Sequence, residues 1–442
     1  VRAPNEQEAV EPSIIERADH PVSRRDIDPN VLKILYRLTN AGHIAYLVGG
    51  GVRDLMVGRR PKDFDIATSA HPQQVRALFR NSRMIGRRFR LVHVFFGPKN
   101  IEVATFRRLA EAAADVDDPM IRHDNTFGTP EEDAFRRDFT INSLFYDPRT
   151  FRVIDYAGGV PDLRSRLIRT IGDPPTRIRE DPVRILRAVR FAAKMGFEIE
   201  PATRAAIETH RSDLAKASVP RLVEETFRTL GVGSGADALM LLEQLGLLDA
   251  LLPAISDHLK SQTELAETPT VRTLAGLGEI IAKGNEPSRA FLLSCLYADV
   301  YLGPIRKGAP PHRFDLVDAL RSRGFSRADT EHMRLLLEAL PHMLRPSRLT
   351  RRLSKRPYFA EARELLELVA PIHGETTGRL DHFLAQTSTE QRPVSSAPAS
   401  AGQGPHNGDK SAPAHRPRRR LRRRGGRRRH GRPAQTPALE TI

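Results

Sequence analysis

At 442 residues the chain has room for two or three domains and a substantial core. Its single cysteine, Cys295, sits in the apolar run Phe291 to Leu296, which excludes a disulfide framework or a cysteine metal cluster within one chain and predicts a buried thiol. The formal net charge of +16 points to a polyanionic partner such as nucleic acid. No apolar run reaches the roughly 18 residues of a membrane span, and Val1 to Asn30 is too charged for a signal peptide, so the cytoplasm is the expected location.

In chain order, residues 1–29 are polar and without a clear period, and are expected to form a flexible lead-in. From Pro29, Val31, Leu32, Ile34, Leu35 and Leu38 recur at helical spacing, and Asn40-Ala-Gly42 reads as the stop. Tyr46 to Thr68 then reads as a short strand, a triple-glycine turn at Gly49 to Gly51, a basic helical segment and a second strand carrying Asp63 and Asp65. A helix is predicted from about Pro72 towards Arg80, and strands over Leu91–Phe96 and Ile101–Phe106 joined by the turn Gly97 to Asn100. Glu111 to Asp118 is expected to be a mobile loop, and Asp124 to Asp133 carries turn residues leading into a helix that bears Arg136, Arg137, Asp138 and Asn142. Beyond the Gly158-Gly159 turn the pattern becomes helical. The expected fold is α+β: a small mixed sheet with helices as a head at 30–150, an all-helical neck at 151–230 and body at 231–386, and a disordered linker with an Arg-rich tail at 387–442.

Three constellations carry chemistry. A strand followed by Gly49-Gly50-Gly51 and a helix start lets backbone amides approach a phosphate closely. Arg53 in the first turn could add a charge-assisted bond to a triphosphate, whereas Asp54 is expected to pair with an arginine. Triple glycine at a tight turn also has a purely structural reading. On a strand, Asp63 and Asp65 would share one face about 6.5 Å apart while Phe64 points to the other. Two such carboxylates can hold divalent ions beside phosphates, as nucleotidyl transfer requires. The plain alternative is an exposed strand with two surface acids. A third acid is expected, with Glu102 on a neighbouring strand and Asp138 as candidates, though Asp138 could equally be a helix cap or an ion-pair partner.

The third constellation is Glu180 to Phe191, where Asp181 precedes Pro182 and Arg184, Arg187 and Arg190 follow at three-residue steps, with Ile185, Leu186 and Val189 opposite. An Asp can accept from an exocyclic amino group while an Arg donates to the neighbouring ring nitrogen, a pattern that adenine and cytosine offer and guanine and uracil do not. A solvated basic face is the bland alternative. From Arg416 to Arg432 the tail holds eleven arginines and no aromatic residue, so it should bind RNA by charge and not by stacking. His123-Asp124 is a lone pair that does not indicate a phosphohydrolase site.

Val48-Gly-Gly-Gly-Val-Arg-Asp54, Lys62-Asp-Phe-Asp65, Arg136-Arg-Asp-Phe-Thr-Ile-Asn142 and Glu180-Asp-Pro-Val-Arg-Ile-Leu-Arg-Ala-Val-Arg-Phe191 resemble the ordered motifs of class II template-independent RNA nucleotidyltransferases, the family of the CCA-adding enzymes and bacterial poly(A) polymerases. The resemblance implies a polymerase-beta-like nucleotidyltransferase head, a neck at 151–230 that binds the nucleotide base and RNA, a body at 231–386 that binds RNA, a Mg2+ cofactor, and ATP and RNA 3' ends as substrates. By the same resemblance Asp63 and Asp65 match the metal-binding catalytic pair, and Asp138 a further catalytic position, which places it above Glu102 as the third acid. Gly50 and Arg53 match triphosphate contacts, Arg137 a nucleotide contact, and Asp181, Arg184, Arg187 and Arg190 the base-reading helix. The glycine at Gly51, the stretch Gly86 to His93 and the Arg-rich tail resemble the poly(A) polymerase branch, since CCA-adding enzymes more often carry Ala or Cys at the Gly51 position. The implied activity is adenylate addition in RNA tailing, mRNA processing and turnover. CCA addition to tRNA is the first alternative, and RNA binding by an inactive head the second.

Overall fold

In the computed structural model the structure describes residues 11–86, 90–108, 127–308 and 315–389. The Glu111 to Asp118 stretch, His123-Asp124 and the Arg-rich tail lie outside them. The head is built on one mixed sheet of eight strands in the order β1-β8-β7-β2-β3-β6-β5-β4. These are β1 (Ser13–Ile15), β2 (Ala45–Val48), β3 (Asp65–Thr68), β4 (Ser82–Ile85), β5 (Leu91–Phe96), β6 (Lys99–Thr105), β7 (Leu144–Asp147) and β8 (Arg152–Asp155). Only β3 and β6 pair in parallel; the other neighbours are antiparallel. Helices α1 (Pro29–Asn40), α2 (Gly50–Met56), α3 (Pro72–Leu78), α4 (Pro130–Phe135) and α5 (Gly159–Ser165) complete it.

Helix α1 forms as its spacing predicts. Asp28 caps it by accepting from the Asn30 amide, Val31, Ile34, Leu35 and Leu38 are buried together, and Gly42 follows at φ +87°. The β5–β6 hairpin forms at the predicted residues, with Gly97 at φ +60° in its turn.

Strand alternation divides the sheet's two faces. Leu47, Ile66, Val92, Val103 and Tyr146 face the main core, which continues unbroken into the helical body. Val48, Ala67 and Phe145 face a much smaller apolar cluster with Phe106 and Ala134. Residues two apart share a face, so Asp65, Glu102 and His93 belong to the side of the small cluster.

Three expectations need correction. The lead-in is ordered from Glu11: Ser13–Ile15 adds an edge strand to β8, and Ile15, Val22 and Ile27 are buried in the main core. The head extends past residue 150, because β8 is a strand of its sheet. The helix before the Arg-Arg-Asp segment stops at Phe135, so Arg136, Arg137 and Asp138 lie beyond α4, and Thr140–Asn142 makes a separate 3-10 turn.

The neck comprises α6 (Pro174–Glu180), α7 (Arg184–Met195), α8 (Pro201–His210) and α9 (Val219–Leu230). Two short strands, β9 (Leu167–Ile168) and β10 (Glu198–Ile199), pair in parallel beside them. Ile185, Leu186 and Val189 are fully buried, as the apolar face of α7 predicts. The body comprises α10 (Gly235–Gln244), α11 (Leu248–Leu251), α12 (Pro253–Lys260), α13 (Pro269–Ala282), α14 (Arg289–Arg306), α15 (Asp315–Ser322), α16 (Arg327–Leu344), α17 (Arg348–Leu353), α18 (Phe359–Val369) and α19 (Gly378–Thr389), which carries helix slightly past the linker boundary expected at residue 387. Helix α14 packs against α12, α13, α16 and α18. It holds Cys295 fully buried, and burial pushes its thiol pKa well up. Among the described residues no helix is long and apolar enough to cross a membrane.

Candidate active site

The glycine turn is set by backbone conformation at one position. Gly49 adopts φ +69° and ψ −134°, a combination closed to residues with a Cβ, and a Cβ there would lie 3.0 Å from Nη1 of Arg137. Gly51 is different. A Cβ on it would meet Phe64 Cδ1 at 3.4 Å and the Asp63 carbonyl at 3.5 Å, close to ordinary van der Waals contact, so an alanine nearly fits.

Arg53 does not project from the turn. Its side chain is only 3% exposed; Nε and Nη2 donate to Oδ1 of Asp54 at 2.9 and 2.7 Å, and Nη1 donates to Oδ1 of Asn142 at 2.5 Å. Asp54 thus has the arginine partner expected of it. The Arg53 guanidinium lies 3.4 Å from where a Gly50 Cβ would stand, and so it supports the turn from beneath.

The acids gather in front of this turn. Strand β3 begins at Asp65, and Asp63 lies in the approach to it, not on the strand as expected. Phe64 does point away and packs on the main core. Glu102 is the direct register partner of Asp65 across the parallel pair, and His93 is the register partner of Glu102 on the next strand. The Asp65 carboxyl pKa is raised by lost hydration, by Glu102 and by Asp63, with Arg137 opposing.

Glu102 is held from the far side. His93 Nε2 lies 3.2 Å from Glu102 Oε1, and Asn100 Nδ2 lies 2.9 Å from His93 Nδ1. The amide of Asn100 can only donate through its nitrogen, so it selects the tautomer in which Nε2–H donates to Glu102. Sequence reading missed His93 in this role, although its place as the third residue of β5, facing the same side as Glu102, was available from the alternation.

Among the described residues no three His, Cys, Asp or Glu side chains stand together as a group that could hold a metal ion. Asp65 and its register partner Glu102 are all-oxygen ligands that could supply one or two carboxylates to a Mg2+ whose shell is completed by substrate phosphates and water.

Asp138 has other partners. It is 9% exposed. Its Oδ2 accepts from Nε of Arg187 at 2.7 Å and also from Nη2, and its Oδ1 accepts from the Phe139 amide at 2.9 Å and from Asn142 Nδ2 at 3.1 Å. Burial alone would raise its pKa, but Arg187, Asn142 and the Phe139 amide hold it at about 2. Glu102, which the resemblance ranked second, is the acid beside Asp65.

Behind the site the remaining candidates are tied into a lattice of ion pairs. Asp133 accepts from Arg136 and Arg137, whose charges hold its carboxyl below the usual range against its burial. Arg137 also donates to the Asn142 carbonyl at 3.2 Å, so its guanidinium lies beside the Gly49 turn and within electrostatic reach of Asp65. Arg177, which sequence reading passed over, donates from Nη2 to the carbonyls of Arg136 and Arg137 at 2.9 and 2.8 Å. On α7, Arg184 meets Glu180 at 3.2 Å and Arg190 meets Glu225 at 2.5 Å, while Asp181 accepts from Arg221 at 2.8 Å. A cavity of about 360 Å³ opens here, lined in part by Arg187, Arg221 and Glu225. Gly159 lets α5 abut this segment, since a Cβ there would lie 2.3 Å from the Thr140 carbonyl oxygen.

Comparison with known proteins agrees with this geometry. Residues 45–169 match the family described as Poly A polymerase head domain, and residues 196–259 that described as Probable RNA and SrmB- binding site of polymerase A. The solved structure of the Bacillus stearothermophilus CCA-adding enzyme in complex with CTP superposes with a TM-score of 0.60 at 29% identity, over 82% of this chain and 83% of that one. Head fold and acid-bearing turn together define a template-independent RNA nucleotidyltransferase. Poly(A) polymerase I of Salmonella typhi is 42% identical over 82% of this chain and 83% of its own length, and that of Escherichia coli O6:H1 50% identical over 59% and 57%. The CCA-adding enzyme of Bacillus velezensis is 38% identical over 54% and 59%. The chain belongs to the poly(A) polymerase family.

Proposed function

We propose that this chain adds AMP from ATP to RNA 3' ends in the cytoplasm, in a Mg2+-dependent reaction, with Asp63, Asp65 and Glu102 as the metal-holding acids. The observation that supports the assignment is the register that sets Asp65 beside Glu102 on one side and beside Val48, which leads into the Gly49 turn, on the other. When bound, divalent ions would activate the attacking hydroxyl and neutralise charge on the departing pyrophosphate.

The chain's own groups then have distinct tasks. The amides of Gly50 and Gly51 face the triphosphate, and Arg137, 17% exposed in its side chain, is the cation best placed to meet it. Arg53 acts as a positioning residue under the turn. The RNA 3'-hydroxyl oxygen forms a bond to the α-phosphorus in line as the bond from that phosphorus to the bridging oxygen of the leaving pyrophosphate breaks.

For base reading the four residues of the α7 region divide. Arg187 and Arg190 compensate carboxylates that are 10% and 6% exposed, and freeing them would leave buried charge unpaired at a cost of about 3–5 kcal/mol. They remain as scaffold, and Asp138 with them. Asp181 is paired with Arg221 at 26% and 57% exposure, whereas Arg184 is 13% exposed and held by Glu180 and the Arg177 carbonyl. Exposed pairs are worth about 0–1 kcal/mol, so Asp181 can exchange its partner for the amino group of adenine, with Arg184 beside it as the candidate donor to the ring nitrogen.

The test is to incubate protein, labelled RNA and Mg2+ with each nucleoside triphosphate in turn. Long extension with ATP alone is expected. Addition that stops after CCA on tRNA would overturn the adenylate assignment, and binding without extension would show an inactive head.

A further inference from the structure

The loop that leads into the acids is tied to more than the head. Asp65 is fixed by the sheet, in register with Val48 on one side and Glu102 on the other, whereas Asp63 lies ahead of the first register pair of β3. Asp63, Asp65 and Glu102 do not stand together as a metal-holding group, and Asp63 is the one whose place the sheet does not set. Its loop leaves α2 with the Arg59 amide donating to the Asp54 carbonyl at 2.8 Å and ends with Phe64 packed on the main core. Of residues 59–63 only Pro61 is buried, and a cavity of about 760 Å³ opens against the loop, so packing leaves it room to shift.

Two side chains of this loop reach beyond the head, and they are unequal. Lys62 Nζ donates to Glu286 Oε1 at 2.7 Å, but the two side chains are 81% and 80% exposed; a pair so exposed is screened and holds weakly. Arg59 reaches helix α7 instead. Its Nη1 donates to the Lys194 carbonyl at 2.9 Å, and its Nη2 lies 3.5 Å from the Met195 carbonyl oxygen. These belong to the last turn of α7, which ends at Gly196, where a helix leaves its carbonyls without partners and its dipole favours a cation. A second tie runs alongside, Lys194 Nζ lying 3.8 Å from Oδ2 of Asp54, the carboxylate that also pairs with Arg53 under the glycine turn. The C-terminal end of α7 is therefore clasped by the loop before Asp63 and by the helix after Gly49. Its other end, roughly 18 Å away over twelve residues, begins with Arg184 and follows Asp181. Ile185, Leu186 and Val189, all fully buried, keep α7 packed as one rod between the two.

We infer that Arg59 is a positioning residue for Asp63: it carries the position of α7 to the acid loop, so that a base held at the start of that helix sets where Asp63 stands. This rests on the base-reading and adenylate-transfer reading above. The link makes chemistry depend on the base and not only on the triphosphate, because the phosphates meet the glycine turn whatever base they carry. A plain helix cap at the end of α7 would instead stabilise the neck and leave the acids as they are.

The experiment takes the full chain, R59A and R59K through steady-state extension of an oligoribonucleotide with ATP and, separately, with UTP, whose base lacks the amino group that Asp181 accepts from. Tm and direct Mn2+ binding, followed by electron paramagnetic resonance, are recorded for each protein. R59A is expected to keep the parent Tm and the parent KM for ATP, while kcat with ATP falls about 10²-fold, the scale of a misplaced reacting group, and kcat with UTP falls less. Its Mn2+ affinity should drop about tenfold, as for changes behind a metal ligand. R59K should recover part of both, since an ammonium can serve one of the two carbonyls but lacks the guanidinium fork. Parent values of kcat and Mn2+ affinity in R59A would overturn the inference, and so would a loss of kcat that only follows a fall in Tm. A parent that uses ATP and UTP alike would remove base reading by α7, and one that extends no RNA would remove the transfer reading; in either case the Mn2+ comparison still decides whether Arg59 places Asp63.

Discussion

Two regions of the head handle charge in opposite ways. On the sheet's open face lie Asp63, Asp65 and Glu102, and lost hydration together with the charge of Glu102 and Asp63 raises the Asp65 pKa. Behind them, Asp133, Asp138 and Glu225 are more deeply buried, yet each is matched by arginine and the pKa values of Asp133 and Asp138 are depressed. Compensated charge holds the shape of the segment from Arg136 to Asn142. The acids of the open face have no such arginine partner among the ion pairs of the described residues.

The largest expected effect breaks the first region. Asp65→Asn or Asp63→Asn should lower extension by at least about 10³-fold, since metal stabilisation of the transition state is worth several kcal/mol. Neither substitution should lower Tm, because each relieves repulsion; a large fall in Tm would show that these acids are structural.

Next comes the second region. Asp138→Ala strands Arg187 and should cost about 3–5 kcal/mol of stability, read by urea unfolding. Because the folded pKa of Asp138 is depressed to about 2 from 3.8, its contribution is fully present above the unfolded pKa and is lost as pH falls from about 4 towards 2. That loss should amount to about 2 kcal/mol and be missing in Asp138→Asn. Asp65 has the opposite sign: its raised pKa means that stability is gained as pH falls through the folded value.

Much of this division was invisible in the sequence. Periodicity located α1, the β5–β6 hairpin and the apolar face of α7, because those elements form from neighbours a few residues apart. Strand β1 offered no such signal, being three residues whose partner, β8, lies far along the chain. The Arg-Arg-Asp segment looked helical, but Arg177 takes its carbonyls and Thr140 abuts Gly159, contacts that no local pattern encodes. The arginines of α7 resembled a face awaiting a ligand because Asp138 and Glu225, which occupy two of them, are remote in sequence. The acids of the sheet's open face were more legible. Asp63 and Asp65 stood out by spacing and Glu102 by strand pattern, while the choice between Glu102 and Asp138 needed the register of β3 against β6.

Smaller effects sharpen the same contrast. His93→Ala removes the donor that orients Glu102 and should weaken the Mg2+ concentration dependence about tenfold, as outer-shell changes do, whereas His93→Gln, which keeps an N–H donor, should recover most of it. Direct Mn2+ binding followed by electron paramagnetic resonance checks this apart from activity. Gly51→Ala should cost less than about 1 kcal/mol, since the added methyl sits near ordinary contact distance; measuring its ATP and CTP incorporation tests whether that glycine governs nucleotide choice.

The most direct measurement sets Glu102→Gln beside Asp138→Asn, recording ATP incorporation and Tm for both. The expected result is that Glu102→Gln keeps the parent Tm and loses extension, while Asp138→Asn loses Tm in step with whatever activity it loses. A Glu102→Gln enzyme that extends RNA at the parent rate, beside an Asp138→Asn enzyme of parent Tm that does not, would contradict the assignment of the third acid and the division of charge on which it rests.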